Sequence, residues 1–263
     1  MAEGDDVDLR VDINCDLGES FGAFKVGNDA DIMPHITSAN VACGFHGGDP
    51  VTIAHTVSLA KQCKVAVGAH PGFPDLVGFG RREMKLGLEE VEDYTLYQIS
   101  AVYGFARATG IGLQHVKAHG ALYNMAAKDL SLSGAIVKGV QMLDADLIVF
   151  APPKSALVEV AAKAKLRVAL EFFADRAYNP DGSLVSRSQR GSVVRDVREL
   201  VQRAVNAVKE GTVEAVDGRV LDVGKVDTIC VHGDTPNAVK LTQALKKGLT
   251  EAKIRVEPIG SFT

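Results

Sequence analysis

Ionisable side chains recur in this sequence directly after short stretches in which apolar and polar residues alternate. Alternation with a period of two is typical of a β-strand. Six of seven predicted strands end on such a side chain, at Asp16, His46, His70, His119, Asp175 and His232, and Asp234 follows just beyond the last. Aspartate and histidine serve as acids, bases and metal ligands. Because crowding them in a small volume is costly without a function, we predict an active site where these strand ends meet.

Further polar residues lie on the same strand faces. Asn14 precedes Asp16 by two positions, Lys117 precedes His119 by two, and Asn40 lies on the polar face that leads to His46. Side chains two apart point to one side of a strand, so these residues are predicted to face the same cavity.

Asp and His at separate strand ends suit a divalent metal such as Zn²⁺ or Mn²⁺. The candidate ligands are Asp16, His46 and His119, although the same groups serve equally well as an acid and a base without a metal. The sequence has neither an HxH nor an HExxH spacing. It also has no phosphate-binding loop and no dinucleotide fingerprint after a strand, so it supplies no recognisable nucleotide-binding fold.

The predicted strands alternate with amphipathic helices at a spacing of about 35 residues, which indicates a parallel sheet. Strands are predicted at 11–16, 38–46, 64–70, 113–119, 146–151, 167–175 and 226–234. Helices are predicted at 50–63, 88–109, 196–209 and from Pro236 onward. Asp49, Pro50 and Gly110 match the usual start and stop signals of helices.

Two architectures fit this alternation, an open doubly wound sheet and a closed barrel. Strands covered by helices on both faces should be apolar on both, whereas most of these strands have one polar face. We therefore favour a seven-stranded parallel β/α barrel whose inner wall is polar, formed by residues 1–263 as one domain with a flexible segment at 1–9. The long connections at 71–87 and 176–195 are expected to cover the site, with turns at Asp181-Gly182 and Asp217-Gly218.

The bulk composition excludes several classes of protein. A net charge of −4 gives no basic surface for nucleic acid or an anionic membrane. No apolar run approaches the roughly 18 residues of a membrane span, and the acidic start is unlike a signal or transit peptide, so the cytoplasm is expected. The cysteines form no CxxC pair and are interpreted as buried thiols, at Cys15, Cys43, Cys63 and Cys230.

Several blocks of this sequence resemble the LamB/YcsF family of 5-oxoprolinase A subunits, in the order in which the family has them. They are NCDLGESFG (14–22), TSANVACGFHGGDP (37–50), GAHPGFPDLVGFGRR (68–82), VKAHGALYN (116–124), FADRAY (173–178), RSQRG (187–191) and DTICVHGD (227–234). The chain departs from the usual family pattern at residues 46–48, at Ala118 and at Ser20. The last two changes could alter loop stiffness but remove no functional side chain.

The resemblance implies a barrel related to those of glycosidases and polysaccharide deacetylases. It also implies a subunit of a prokaryotic ATP-dependent 5-oxoprolinase that works with subunits B and C. The reaction would convert 5-oxo-L-proline, ATP and two waters into L-glutamate, ADP and phosphate. The missing phosphate loop fits a division of labour in which the partner subunits handle ATP and this chain opens the lactam.

That reaction requires a base for water, an acid for the ring nitrogen, and cations. Our hypothesis assigns Asp16 and His46 to water activation and His119 or His232 to the acid. Lys117, Arg176 and Arg187 would stabilise charge, and Arg81 and Arg82 are a weaker option. Substrate-binding residues would include Asn14, Asn40, His70, Asp175, Arg176, Arg187 and Asp234. The rival readings are a stand-alone metal-dependent amide hydrolase or deacetylase, and a ligand-binding subunit without catalysis.

Overall fold

A computed structural model describes residues 8–235 and 237–263 of the chain. Within these residues the strands are β1 (Arg10–Leu17), β2 (Ser38–Ala42), β3 (Ala66–His70), β4 (Leu113–Val116), β5 (Ile148–Ala151), β6 (Arg167–Phe173), β7 (Thr212–Glu214), β8 (Val220–Asp222), β9 (Thr228–Cys230) and β10 (Arg255–Val256). Seven of them, β1 to β6 and β9, run parallel in that order, and β9 pairs again with β1. The predicted seven-stranded β/α barrel is therefore confirmed.

Helices cover the outside of the barrel. In the described part of the chain they are α1 (Asp29–Ile32), α2 (Pro50–Cys63), α3 (Leu88–Ala108), α4 (Gly120–Ala126), α5 (Leu130–Leu143), α6 (Ala156–Lys163), α7 (Val197–Glu210) and α8 (Ala238–Glu251). The Asp49 carboxylate accepts the Thr52 N–H and caps α2, with Pro50 in the first turn. Gly110 follows α3 with φ +75°, as expected of a terminating glycine. No helix among the described residues combines the length and the apolar character needed to cross a bilayer.

The structure also differs from the sequence prediction at several places. Helices α4 to α6 and strand β10 lie outside the segments predicted from periodicity. Strand β2 ends at Ala42, because Gly44 takes φ +95° and its N–H donates to the Gly47 carbonyl. His46 therefore lies on the loop past β2. His119, Asp175 and His232 also lie just past the ends of their strands, while Asp16 and His70 lie within strands. Pro236, the predicted start of the last helix, lies outside the described residues, as do residues 1–7 of the predicted flexible segment.

The wall of the barrel separates an apolar outer layer from a polar interior. On β1, Val11, Ile13 and Cys15 pack against the helices, and the alternate Asp12 and Asn14 point inward, all of them fully buried. Deep inside, Asp12 accepts hydrogen bonds from the hydroxyls of Thr37, Ser38 and Thr228. A small apolar cluster fills another part of the structure, composed of Ile148, Phe150, Ala169 and Ile259. The polar side chains around Asp12 thus have hydrogen-bond partners inside the barrel.

His115 stands in the middle of this interior. Its ring stacks on Phe150 with centroids 4.1 Å apart, and its Nε2 lies 2.8 Å from Asn40 Oδ1. The neighbouring strand passes so close that Gly68 leaves no room for a side chain. A Cβ on Gly68 would lie 2.1 Å from His115 Nε2.

Replacement of Gly68 by alanine is therefore expected to destabilise the fold. The added methyl overlaps a fixed ring, and overpacking of this kind costs about 1–3 kcal/mol. Gly134→Ala in α5 is the matched control, because its Cβ would meet nothing within 4 Å, and it should leave stability unchanged or raise it by up to about 1 kcal/mol. Urea unfolding of both variants measures the difference. A wild-type midpoint for Gly68→Ala would contradict the close approach.

His115 also predicts how stability depends on pH. Burial, aided by Lys117 and His70, lowers the pKa of His115 from 6.5 to about 3. The unfolded chain takes up this proton near pH 6.5 and the folded chain only near pH 3, so the contribution to stability is complete above pH 6.5 and is lost as the pH falls toward 3. His115→Gln should reduce the slope of unfolding free energy between these limits by about 1.4 kcal/mol per pH unit.

Urea titrations at pH 4 to 7 measure that slope. The control is His55→Gln, at an exposed position of α2, which should keep the slope of the unmodified chain. Equal slopes in His115→Gln and the unmodified chain would show that His115 does not titrate as its burial requires.

Candidate active site at the mouth of the barrel

A cavity of about 1050 Å³ opens where the strand ends meet. Seven of the residues predicted for the site line it, namely Asp16, His70, Lys117, His119, Arg176, Arg187 and His232. The other predicted residues, Asn14, Asn40, His46, Asp175 and Asp234, contact this lining from behind or from the rim. The structure therefore brings together side chains from three strands, β1 to β3, and from the segments that follow β2, β4, β6 and β9.

Lys117 lies at the floor of the cavity between two carboxylates. Its Nζ is 3.0 Å from Asp16 Oδ1 and 2.9 Å from Glu171 Oε1. The side chain is 3% exposed, so the charge is held by partners rather than by water. Burial opposes the charged lysine, but Asp16, Cys230 and Glu171 outweigh it and raise the pKa of Lys117 well above its ordinary value. The ammonium group is a permanent cation at the bottom of the site.

The two carboxylates are held in place by amides and a phenol. Asn40 Nδ2 donates to Asp16 Oδ1 at 2.8 Å, and Asn14 Nδ2 donates to Glu171 Oε1 at 3.0 Å. Tyr123 donates its hydroxyl to Glu171 Oε2 at 2.7 Å. With these three donors and Lys117, neither carboxylate is free to turn. Asn14 and Asn40 therefore orient acidic groups in this structure.

Asp16 is the acidic group that both lines the cavity and meets the histidines. Its Oδ2 lies 3.3 Å from His70 Nε2. Burial would raise the pKa of Asp16, but His70 and Lys117 outweigh it and hold the pKa well below its usual range. Asp16 is thus an ionised carboxylate at neutral pH with a defined orientation.

Three histidines form a second group at one side of the cavity. The rings of His46 and His119 stack with centroids 3.6 Å apart, and His70 meets both rings edge-on. Burial lowers the pKa of His46 and His119 well below the ordinary value, reinforced by the neighbouring histidines. These two rings are therefore neutral at physiological pH.

Glu19 completes this group. Its Oε1 lies 3.4 Å from His46 Nε2 and 3.6 Å from His119 Nδ1. Burial and the nearby Asp16 and Asp234 raise the pKa of Glu19 well above its usual value. The ligand atoms of Glu19, His46, His70 and His119 all lie within 4.8 Å of one another, close enough to hold a metal ion.

This grouping differs from the ligand set predicted from sequence. His46 and His119 do lie in one group of possible metal ligands, but Asp16 is not a member of that group. A separate group within the same distance limit consists of Asp16, Cys230 and His232. The place predicted for Asp16 beside the two histidines is taken by Glu19 and His70.

His232 also lines the cavity and is oriented by Asp175. Its Nδ1 is 3.0 Å from both carboxylate oxygens of Asp175, and Thr235 donates its hydroxyl to the same group at 3.1 Å. Burial of Asp175 opposes ionisation, but His232 outweighs it and lowers the pKa of Asp175. With Nδ1 occupied, Nε2 is the nitrogen of His232 that remains for the cavity.

Arginines from the two long loops form the rim. Arg81 pairs with Asp234 at 2.6 Å, and Arg187 lies 3.9 Å from the same carboxylate. Arg176 is buried and donates to the carbonyls of Ser192 and Val185. Burial and the nearby Arg187 lower the pKa of Arg176 to about 10, which still leaves it charged at neutral pH. Arg82 instead bonds to Asp75.

Four residues of the site were not among the predicted ones. Glu171 is on the polar face of its strand, and that alternation is the signal that could have identified it. Cys230 also alternates with inward residues and lies 3.0 Å from Lys117 Nζ. Glu19 and Tyr123 lie beyond strand ends, on a loop and on α4, where periodicity carries no information about direction. Their roles depend on how the loops fold back.

Taken together, the site offers an ionised carboxylate, a histidine with one ring nitrogen left for the cavity, and several cations around one cavity. Such a set can activate water, protonate a leaving group and bind an anionic molecule. These are the requirements of hydrolysis at a carbonyl or related carbon.

The sequence is similar to known proteins over nearly its whole length. A sequence model of the LamB/YcsF family matches residues 11–263. A protein of Pyrococcus horikoshii, named as the A subunit of 5-oxoprolinase, is 52% identical over 97% of this chain and 99% of that protein. A protein of the same name from Campylobacter jejuni is 47% identical over 97% of this chain and 99% of its own length.

The fold is similar to that of a solved relative as well. The crystal structure of a lactam utilization protein from Thermus thermophilus is 49% identical, has a TM-score of 0.89, and matches over 95% of this chain and 99% of that chain. With the family's sequence pattern, its relatives and its fold all matched over nearly the full length, this chain belongs to the LamB/YcsF family.

Proposed function

We propose that the protein is the A subunit of an ATP-dependent 5-oxoprolinase and opens the lactam ring of 5-oxo-L-proline to give L-glutamate. The overall reaction consumes ATP and two waters and releases ADP and phosphate. The observation that carries the proposal is the ionised Asp16 held beside buried Lys117 at the floor of a cavity rimmed by arginines. The names of the relatives that are about 50% identical support the same activity.

A lactam is a stable amide, so its carbonyl oxygen must be activated before water can attack the carbon. Phosphorylation of that oxygen by ATP makes the ring carbon electrophilic. Water then attacks this carbon, the C–N bond breaks as the ring nitrogen leaves with an added proton, and the second water hydrolyses the resulting acyl phosphate to glutamate and phosphate. This chain has no phosphate-binding loop, so we assign ATP to subunits B and C. The phosphorylated lactam would then be hydrolysed at the site described here.

Asp16 is the base in this proposal. Its low pKa keeps it ionised, and it lines the cavity where water and substrate meet. His46 is fully buried and stacks behind His119, so it acts by positioning the ring of His119.

His232 is the stronger candidate for the acid that protonates the ring nitrogen. The Nε2 of His119 lies 2.8 Å from the Phe79 carbonyl, and its Nδ1 faces His70. Both nitrogens of His119 are therefore engaged, whereas His232 keeps Nε2 for the cavity. Asp175 fixes the ring orientation of His232, an arrangement that favours proton transfer from the opposite nitrogen.

The cations receive the negative charges of the substrate. Lys117 lies at the floor, and Arg176 and Arg187 lie at the wall of the same cavity. A substrate carboxylate or phosphate between them would form charge-assisted hydrogen bonds.

Two other readings make different predictions about the isolated chain. A stand-alone metal-dependent amide hydrolase or deacetylase, favoured by the Glu19 and histidine group, would release product without partners or ATP and lose activity on chelation. A ligand-binding subunit would be protected thermally by 5-oxoproline but would never yield glutamate. Incubation with 5-oxoproline and ATP, with and without subunits B and C, separates all three.

Asp16→Asn is expected to lower glutamate release by the reconstituted complex by about 100-fold or more, because the amide cannot accept a proton from water. The matched control is Asp31→Asn at an exposed position of α1, which should retain full turnover. Glutamate is measured enzymatically, and the melting temperature of each variant checks the fold. Unchanged turnover in folded Asp16→Asn would end the assignment of the base.

Arg187→Met is expected to weaken binding of 5-oxoproline to the chain by about 10-fold, the effect of losing one charge-assisted hydrogen bond. Arg190→Met on the same loop is the control, because Arg190 is exposed and does not line the cavity. Isothermal titration with 5-oxoproline gives both affinities. Equal losses in the two variants would point to a general charge effect rather than to a contact at the site.

A further inference from the structure

The hydrogen bonds of His70 and His119 determine where their ring hydrogens lie. His70 Nδ1 is 2.6 Å from the Lys117 carbonyl, and His119 Nε2 is 2.8 Å from the Phe79 carbonyl. A carbonyl oxygen only accepts, so each of these nitrogens carries a hydrogen. In neutral rings the remaining nitrogens, His70 Nε2 and His119 Nδ1, carry a lone pair and no hydrogen. These two nitrogens face each other at 3.0 Å. Two lone pairs at that distance repel unless a proton or a cation lies between them.

A proton on His70 Nε2 would remove the repulsion in this one contact, and Asp16 Oδ2, 3.3 Å from the same nitrogen, would stabilise the resulting charge. It would leave the rest of the group unexplained. Among residues 8–235 and 237–263, Glu19 Oε1 and both ring nitrogens of His46 are buried without any hydrogen-bond partner. Glu19 is 5% exposed and His46 is not exposed at all. Buried polar atoms of this kind normally have a partner.

Three distances between these atoms are close to those expected around a tetrahedral ion, and the ligand atoms of the four residues all lie within 4.8 Å of one another. With ligands about 2.0–2.1 Å from Zn²⁺, neighbouring ligand atoms of a tetrahedron are about 3.3 Å apart. The observed separations are 3.0 Å between His70 Nε2 and His119 Nδ1, 3.4 Å between Glu19 Oε1 and His46 Nε2, and 3.6 Å between Glu19 Oε1 and His119 Nδ1. A single ion bound by Glu19 Oε1, His70 Nε2 and His119 Nδ1 would give the unpartnered Glu19 oxygen a partner and would separate the two facing lone pairs.

The surroundings also suit a metal. Metal-binding histidines usually donate their other N–H to a carbonyl or carboxylate, which fixes the ring, and His70 and His119 both do so. His46 differs, because its ring is parallel to that of His119 within 1°. In two stacked parallel rings the nitrogen lone pairs of His46 and His119 cannot both point at one ion. His46 must turn about its Cβ–Cγ bond to become the fourth ligand.

We propose that Glu19, His70 and His119 form a preorganised site for one divalent transition-metal ion, Zn²⁺ by its ligand types, which His46 completes by turning its ring. A carboxylate with three imidazoles is a donor set that Zn²⁺ accepts in four-coordinate sites. When bound, the ion would supply Lewis acidity at the edge of the cavity. The site itself does not depend on the proposed 5-oxoprolinase reaction.

The test is metal binding by the full chain after dialysis against a chelator. One equivalent of Zn²⁺ should bind, and Co²⁺ in its place should give the intense visible absorption of a four-coordinate ion. Loss of an outer-shell partner typically costs about 10- to 100-fold in affinity, so Glu19→Gln and His119→Gln should each cost more than about 100-fold. His46→Gln should cost less, because three ligands remain. His55→Gln, at an exposed position, should bind like the unmodified chain.

A further variant separates this site from the group formed by Asp16, Cys230 and His232. Cys230→Ser should keep the full equivalent of Zn²⁺. Loss of Zn²⁺ binding in Cys230→Ser with retention in Glu19→Gln would overturn the proposal. The absence of Zn²⁺ binding by the unmodified chain at 100-fold excess of the ion would overturn it as well. A proton between His70 and its neighbours Asp16 and His119 would then be the explanation that remains. Neither outcome would contradict the proposed 5-oxoprolinase reaction, because that reaction is tested separately by measuring glutamate release with the Asp16→Asn variant.

Discussion

The buried ammonium of Lys117 and its two carboxylates impose the main constraint on this molecule. A charge with 3% exposure is tolerated only where opposite charge and hydrogen bonds replace water. Asp16 and Glu171 provide that charge, and Asn14, Asn40 and Tyr123 in turn hold the carboxylates. Removing one member would leave another buried without a partner, so these groups are stable only as a complete set. The barrel around Lys117 is therefore lined by polar side chains, whereas Ile148, Phe150, Ala169 and Ile259 form a separate apolar cluster.

The loops at the mouth depend on the same interior. The Phe79 carbonyl fixes the ring of His119, and Gly80 passes so close that a Cβ would lie 2.7 Å from that ring. The loop from 71 to 87 is therefore pressed onto the histidine group and, through Arg81, also reaches Asp234. Part of the rim is thus determined by contacts made deep in the site. This arrangement favours a site whose walls are in place before substrate arrives.

The site has two halves of different character. On one side Glu19 and three histidines are buried and tightly spaced, which suits an ion or a shared proton. On the other side His232, Arg176 and Arg187 face an open cavity that is much larger than a single five-membered ring. Asp16 lies between the halves and contacts both His70 and Lys117. Chemistry in the open half would therefore respond electrostatically to whatever occupies the closed half.

Much of the fold could be predicted because its signals are local. Alternation along 11–16 and 167–175 identified strands with one polar face, and the polarity of that face excluded a sheet covered on both sides. Cap residues such as Asp49 and Gly110 located helix ends, since capping depends on a few adjacent residues. The same alternation placed Asp16, Lys117 and His70 in one cavity, because parallel strands all end at the same rim.

The sequence alone therefore determined the class of fold, the polar inner wall and most of the residues at the mouth. Only the tertiary structure decided which of those residues touch. Glu19 and Tyr123 join the site through loop and helix directions that no periodic pattern encodes. Asp16 contacts Lys117 rather than His46 because β2 ends at Ala42 and the turn at Gly44 carries His46 out of the strand. Period-two alternation tells which way a side chain points, but distances between strands far apart in sequence depend on register and loop closure, and these are properties of the folded chain.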